Sequence, residues 1–121
     1  MHVYIVEQNN LVKKTLEDFL KQLKHEISSF DSIDSLLYKN NENHEKPDLI
    51  LVNLDLPQKE AVFHVRKIHT KYPDANITIM SSVLPAQEAL SQGVFSYLHR
   101  PIRLDELELI LARISESREK K

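Results

Sequence analysis

"DLILVNLDLP", residues 48–57, carries four apolar residues in a row, Leu49 to Val52, and then turns polar at Asn53. An apolar run this short, with Pro47 before it and Pro57 after it, reads as a strand buried on both faces. Such a strand belongs to a parallel sheet covered by helices on each side. In sheets of that kind the functional crevice lies beyond the carboxyl ends of the strands. Asn53, Asp55 and Pro57 therefore stand where any chemistry would be kept.

The same alternation extends in both directions. "HVYIV" (2–6) is β-branched and aromatic and reads as a first strand. Asn9 or Asn10 can cap a helix in which Val12, Leu16, Phe19, Leu20 and Leu23 recur at helical spacing, to about His25. "ISSF" (27–30) is a second strand. Asp31 or Ser32 caps a short helix whose Ile33, Leu36 and Leu37 share a face, and "NNENHEK" (40–46) is a polar loop. Beyond Pro57 a third helix carries Val62, Val65 and Ile68 on one side. "ITIMS" (77–81) is a fourth strand, and 85–93 a short helix with Pro85 near its start and Gly93 past its end. "FSYL" (95–98) is a fifth strand. A last helix, 104–120, faces Leu107, Ile110, Leu111 and Ile114 inward, with the charged tail "ESREKK" (116–121) expected to fray. Five strands thus alternate with five helices in one domain spanning 1–121, an α/β, doubly wound, three-layer arrangement.

Composition excludes several function classes. Of 121 residues, 41% are hydrophobic and 28% charged, which suits a globular domain. A net charge of −2 speaks against a nucleic-acid binder, and Arg100, Arg103 and His99 make too small a basic spot for DNA. Without cysteine there is no disulfide, thiolate metal site or thiol catalysis. A single glycine, Gly93, rules out a glycine-rich phosphate cradle. No signal peptide or membrane span is visible, so a cytoplasmic location is expected. His64 and His69 are five apart and share no helix face, so no metal site is expected from them.

The strand ends deliver Glu7 and Gln8, then Asn53 with Asp55, then Ser81 and Ser82, and finally Tyr97, Arg100 and Pro101. With "PDLILVNLDLP" and "YLHRPIRLDELELIL" in these places, the chain resembles the receiver domain of bacterial two-component response regulators. The resemblance covers essentially the whole chain and implies a flavodoxin-like fold with strand order 2-1-3-4-5. It places the phosphoacceptor aspartate at Asn53 and the acidic metal ligands at Glu7 and Gln8. The phosphoryl-contacting Ser/Thr falls on Ser81, the lysine before the proline on Arg100, and the aromatic switch on Tyr97. Ser81 and Tyr97 match the pattern, and Glu7 keeps one acidic position; Gln8, Asn53 and Arg100 depart from it. The segment between Ser81 and Gly93 is about one turn short of the family norm, so the fourth helix is expected to be stunted.

The departures have chemical consequences. A carboxamide is a poor nucleophile and cannot form an acyl phosphate. Mg²⁺ wants hard oxygen ligands, and the usual three carboxylates and one lysine leave a pocket charge of about −2. Here Glu7 and Arg100 cancel while Gln8 and Asn53 are neutral, so Mg²⁺ is not expected and no cofactor is implied. Arg100 could hold Glu7 in a bidentate pair, a geometry lysine cannot make. Asp55 reads as a solvated loop residue whose side chain points to the other face from Asn53.

Three functions compete. The first is a non-enzymatic pseudo-receiver, a protein-interaction or homodimer module acting through the face of helix 4, strand 5 and helix 5. Its contacts would be Tyr97, Arg103, Glu106 and residues near Gln87 to Gln92. The second is a working receiver phosphorylated at another carboxylate such as Asp55. The third is a small-ligand-binding flavodoxin-like module, which fold alone does not establish.

Overall fold

The computed structural model describes residues 1–38, 46–91 and 93–119. In chain order the elements are β1 (His2–Val6), α1 (Asn10–Gln22), β2 (Glu26–Phe30), α2 (Ile33–Tyr38), β3 (Leu49–Asn53), α3 (Gln58–Lys71), β4 (Asn76–Ser81), α4 (Ala86–Leu90), β5 (Ser96–His99) and α5 (Leu104–Glu119). The five strands pair in parallel in the order β2-β1-β3-β4-β5, as the resemblance implied. The expected loop at 40–46 lies, up to residue 45, outside the described residues. Among the described residues no helix is long and apolar enough to cross a membrane.

Strand periodicity divides the core into two layers. Val3 and Ile5 of β1 and Leu49 and Leu51 of β3 pack with Leu16 and Leu20 of α1 and with the inner face of α5. Tyr4 and Val6, with Ile50 and Val52, pack the opposite way against residues from α2, α3 and α4. Burial on both faces is why β3 reads as an unbroken apolar run. All four residues of α5 expected to face inward, Leu107, Ile110, Leu111 and Ile114, are buried. In α3 the buried positions are Ala61, Val65 and Ile68, at i, i+4 and i+7. Val62, expected among them, is only half-buried.

Several boundaries follow from capping. The Asn9 side chain accepts hydrogen bonds from the backbone of Leu11 (3.0 Å) and Val12 (3.1 Å), which fixes the start of α1. The helix stops at Gln22 instead of His25 because Lys24 enters the left-handed region (φ 66°). Lys24 N then donates to Lys21 O, and His25 N to Leu20 O at 3.0 Å, a Schellman closure. Ser32 caps α2 by accepting from Ser35 N at 3.1 Å. The short α4 holds only five residues and is followed by Gly93 at φ 78°, where a side chain would be strained. The charged tail, expected to fray from 116, is helical through Glu119, and 120–121 lie outside the described residues.

Register sets the functional edge. Val6 of β1 lies beside Val52 of β3, and Asn53 beside Met80 of β4; Ser81 ends β4 beside His99 of β5. One residue further on, Glu7 and Arg100 leave their strands at the same end of the sheet.

Candidate functional site

Glu7 is the most deeply placed charge at this edge, with its side chain only 1% exposed. A buried carboxylate is costly unless donors replace its lost water. Glu7 has three. Its Oε1 accepts from Asn53 Nδ2 and from the backbone N–H of Asn9, both at 3.1 Å. Its Oε2 accepts from Arg100 Nη1 at 2.8 Å. Asn53 is used at both ends, since its Oδ1 accepts from the backbone N–H of Asp55 at 3.2 Å. Turning the amide over would set oxygen against carboxylate and NH₂ against N–H, so the network fixes its orientation.

Arg100 bridges two carboxylates. Besides the hydrogen bond to Glu7, its Nε lies 3.7 Å from Asp55 Oδ2. The bidentate grip on Glu7 envisaged from the sequence is therefore replaced by a fork with one arm on each acid. The pocket also gains a charge, because Asp55 joins the Glu7–Arg100 pair.

Asp55 is exposed in part, as expected of a loop residue, but it does not point away from Asn53. The Asp55 Oδ1 atom accepts from Ser82 N at 2.7 Å, Ser82 Oγ at 3.1 Å and Ser81 Oγ at 3.2 Å. Residues two apart share a side of an extended chain, and Leu54 N still donates to Met80 O at 2.9 Å, one residue beyond β3, so Asp55 follows Asn53 into the pocket. Partial burial pushes the Asp55 carboxyl up, but hydrogen bonds from Ser82 and Ser81 and the positive charge of Arg100 outweigh it and hold the group below its ordinary value.

Ser81 carries this contact inward. It is fully buried, and its Oγ accepts from Val83 N (3.1 Å) and Leu84 N (2.9 Å) while donating to Asp55. The loop after β4 is thus folded around one hydroxyl. Tyr97 reads the same loop from β5: its hydroxyl donates toward Leu84 O (2.7 Å) and Ser81 O (2.9 Å). The ring is half-buried and turned inward, packed on the α2–α4 side of the core. Burial, and then the negative charge of Asp55, raise the phenol above its ordinary value.

The remaining candidates are not drawn in. Gln8 is exposed at the rim of a cleft of about 290 Å³ that Glu7, Asn53 and Asp55 also line. Arg103 is 69% exposed and pairs with its neighbours Asp105 (2.9 Å) and Glu106 (3.9 Å) on α5. Gln87 is exposed on α4, and Gln92 lies outside the described residues. Sequence reading placed Ser82 at the end of the fourth strand without giving it a role, and it misplaced Asp55. The signals were present: the even spacing from Asn53, and a second hydroxyl beside Ser81.

Mg²⁺, the ion implied by the family resemblance, does not fit this donor set. Both Glu7 oxygens are taken by N–H donors, one of them cationic, and the Asn53 oxygen is taken by a backbone N–H. A hard dication needs oxygens that are free and negative. Among the described residues no group of three or more His, Asp or Glu is placed to hold a metal.

Comparison with known proteins agrees with the fold. A family model described as "Response regulator receiver domain" matches residues 3–112. The DNA-binding transcriptional regulator NtrC of Proteus hauseri is 28% identical over 124 residues, covering 99% of this chain and 26% of its own length. The chain spans only 26%, 20% and 15% of the length of three curated relatives it matches. A CheY-like response regulator receiver domain protein of Methanospirillum hungatei superposes with a TM-score of 0.80 at 19% identity, over 99% of this chain and 98% of that one. The receiver domain of a sensor histidine kinase from Pseudomonas aeruginosa, solved with a magnesium ion in its active-site cleft, superposes at 0.75 with 22% identity, covering 94% and 97% of the two chains.

Proposed function

The chain belongs to the response regulator receiver domain family, and from that premise we propose that it is a pseudo-receiver over residues 1–121, a non-enzymatic module of two-component signalling that works without phosphorylation. One observation carries the reading. The residue at the phosphoacceptor position, Asn53, spends its amide on Glu7, and Glu7 spends its other oxygen on Arg100. The groups that would attack phosphorus and hold Mg²⁺ form a closed hydrogen-bonded cluster instead, and a carboxamide cannot become an acyl phosphate.

Output then depends on protein contacts. The face formed by α4, β5 and α5 is the proposed contact surface, for a signalling partner or a second copy of the chain. Tyr97, Arg103 and Glu106 border it, and the five-residue α4 narrows it. The inward Tyr97, held by two carbonyl oxygens, supports a surface kept in one arrangement. Incubation with a small phosphodonor and Mg²⁺ followed by intact-mass measurement tests the reading. The native chain should gain no phosphoryl group; a gain would refute it.

A second reading has one observation in its favour: Asp55 is a carboxylate beside Ser81 and Arg100. Should the native chain gain mass, peptide mapping of the phosphoryl group to Asp55 would establish that alternative.

A further inference from the structure

Four donors converge on one carboxylate at the mouth of the site. Ser82 N, Ser82 Oγ and Ser81 Oγ surround Asp55 Oδ1 at 2.7 to 3.2 Å, and Arg100 Nε faces Oδ2 at 3.7 Å. Two hydroxyls, a backbone N–H and a guanidinium make a general oxyanion cradle, since each is stronger toward a charged acceptor than a neutral one. The cradle is built before its occupant arrives. Val83 N and Leu84 N donate into Ser81 Oγ, which leaves the hydroxyl proton directed outward. Arg100 is anchored separately by Glu7. The Asp55 side chain is 33% exposed, so the cradle borders solvent and an external anion could reach it if the carboxylate were absent.

The same contacts continue to Tyr97. Asp55 fixes Ser81 Oγ, Ser81 Oγ fixes the amides of Val83 and Leu84, and Leu84 O receives the Tyr97 hydroxyl. A negative charge in the cradle therefore draws in the β4–α4 loop and places the carbonyl that holds Tyr97.

We propose that the Asp55 carboxylate is a built-in ligand that fills an oxyanion-binding cradle formed by Ser81, Ser82 and Arg100, and that it thereby keeps the β4–α4 loop and Tyr97 in the arrangement seen. The proposal rests on the phosphorylation-independent reading and supplies what that reading needs, an anion that is always present. Removing the carboxylate should release Tyr97 and expose a site for a tetrahedral oxyanion.

The test uses inorganic phosphate as probe, with ionic strength held constant by chloride. Amide signals of Ser82 to Leu84 and ring signals of Tyr97 are followed by NMR in the native chain and in Asp55→Ala. The native chain should bind phosphate at these positions at least about tenfold more weakly than the variant. In the variant the Tyr97 ring signals should leave their native positions and return as phosphate is added. Equal phosphate affinity in the two proteins, or native Tyr97 signals in phosphate-free Asp55→Ala, would overturn the proposal. If Asp55→Ala fails to fold, Asp55→Asn gives the same decision: Tyr97 signals identical to native overturn it, and displaced signals uphold it. Phosphoryl transfer to the native chain is a separate result, which sinks the phosphorylation-independent reading. Failure of phosphate to engage Asp55→Ala removes only the built-in ligand.

Discussion

The Asn53 carboxamide donates from Nδ2 to Oε1 of Glu7 across 3.1 Å, and Glu7 is almost wholly removed from solvent. That pairing depends on nitrogen at this place. In Asn53→Asp a second carboxylate would face the first with only Arg100 to offset both. The variant should lose about 2–4 kcal/mol at pH 7, from the lost charge-assisted bond and the added repulsion. Like charge raises the folded-state pKa of the carboxylate pair above its unfolded value, so the folded variant binds more protons in between. Its deficit against the native chain should therefore shrink as pH is lowered from 7 toward 5. Urea unfolding at the two pH values checks the sign.

The same substitution should change the response to metal. Two adjacent carboxylates suit a hard dication better than an acid already spent on an amide and a guanidinium. Millimolar Mg²⁺ should raise the melting temperature of Asn53→Asp and leave that of the native chain unchanged. An equal rise in both would show that the native cluster opens readily to metal.

Glu7→Gln removes one partner of a buried ion pair. Arg100 keeps Asp55 at 3.7 Å and is itself 18% exposed, so the loss should sit near the lower end of such cases, about 3 kcal/mol. Backbone amide signals around Arg100 should move. Spectra that overlay there would show that the bridge does not position this segment.

Asp55 gives the site a defined acid limit. Its pKa is lowered in the folded chain by Ser82, Ser81 and Arg100, against the opposing effect of burial. A lowered carboxyl pKa means a stabilising contribution that is complete above the unfolded value, about 3.9, and lost as pH falls through the lower folded value. The stability difference between native and Asp55→Asn should thus be constant from pH 7 to about 5 and vanish in stronger acid. A difference that grows on acidification contradicts the assigned contacts.

On the α4–β5–α5 face, stability and binding should separate. Arg103→Ala should change stability by no more than about 0.5 kcal/mol, because its pairs with Asp105 and Glu106 are exposed. Tyr97→Phe loses the hydroxyl's bonds to two carbonyl oxygens and should cost about 1 kcal/mol. Both, with Glu106→Ala and Gln87→Ala, should weaken self-association or partner capture while the circular dichroism spectrum stays native. Unchanged association across the set would move the contact surface elsewhere.

The sheet was legible because its strands are short apolar runs and its helices keep a 3.6-residue period. Leu49 to Val52 and Leu107 to Ile114 show this directly. The end of α1 was not legible, since its stop signal is Lys24 in a left-handed conformation that costs a non-glycine residue roughly 1 kcal/mol. Position along the chain brought Glu7, Asn53, Ser81 and Arg100 to one edge. It could not say which donor meets which acceptor. Asp55 was misplaced because it was assigned to the face opposite Asn53, although residues two apart on an extended chain share a face. Its actual direction follows from the hydrogen bond of Leu54 N to Met80 O, which continues the β3–β4 pairing one residue past Asn53.

The central claim is that the signalling surface is set without phosphorylation. The most direct measurement is a pair of ¹H–¹⁵N spectra of the native chain, before and after addition of a small phosphodonor with Mg²⁺. The account predicts superimposable signals for Asn53, Ser81 to Leu84, Tyr97 and the α4–β5–α5 face. Displacements that begin at the pocket and extend to Tyr97 and α5 would contradict it.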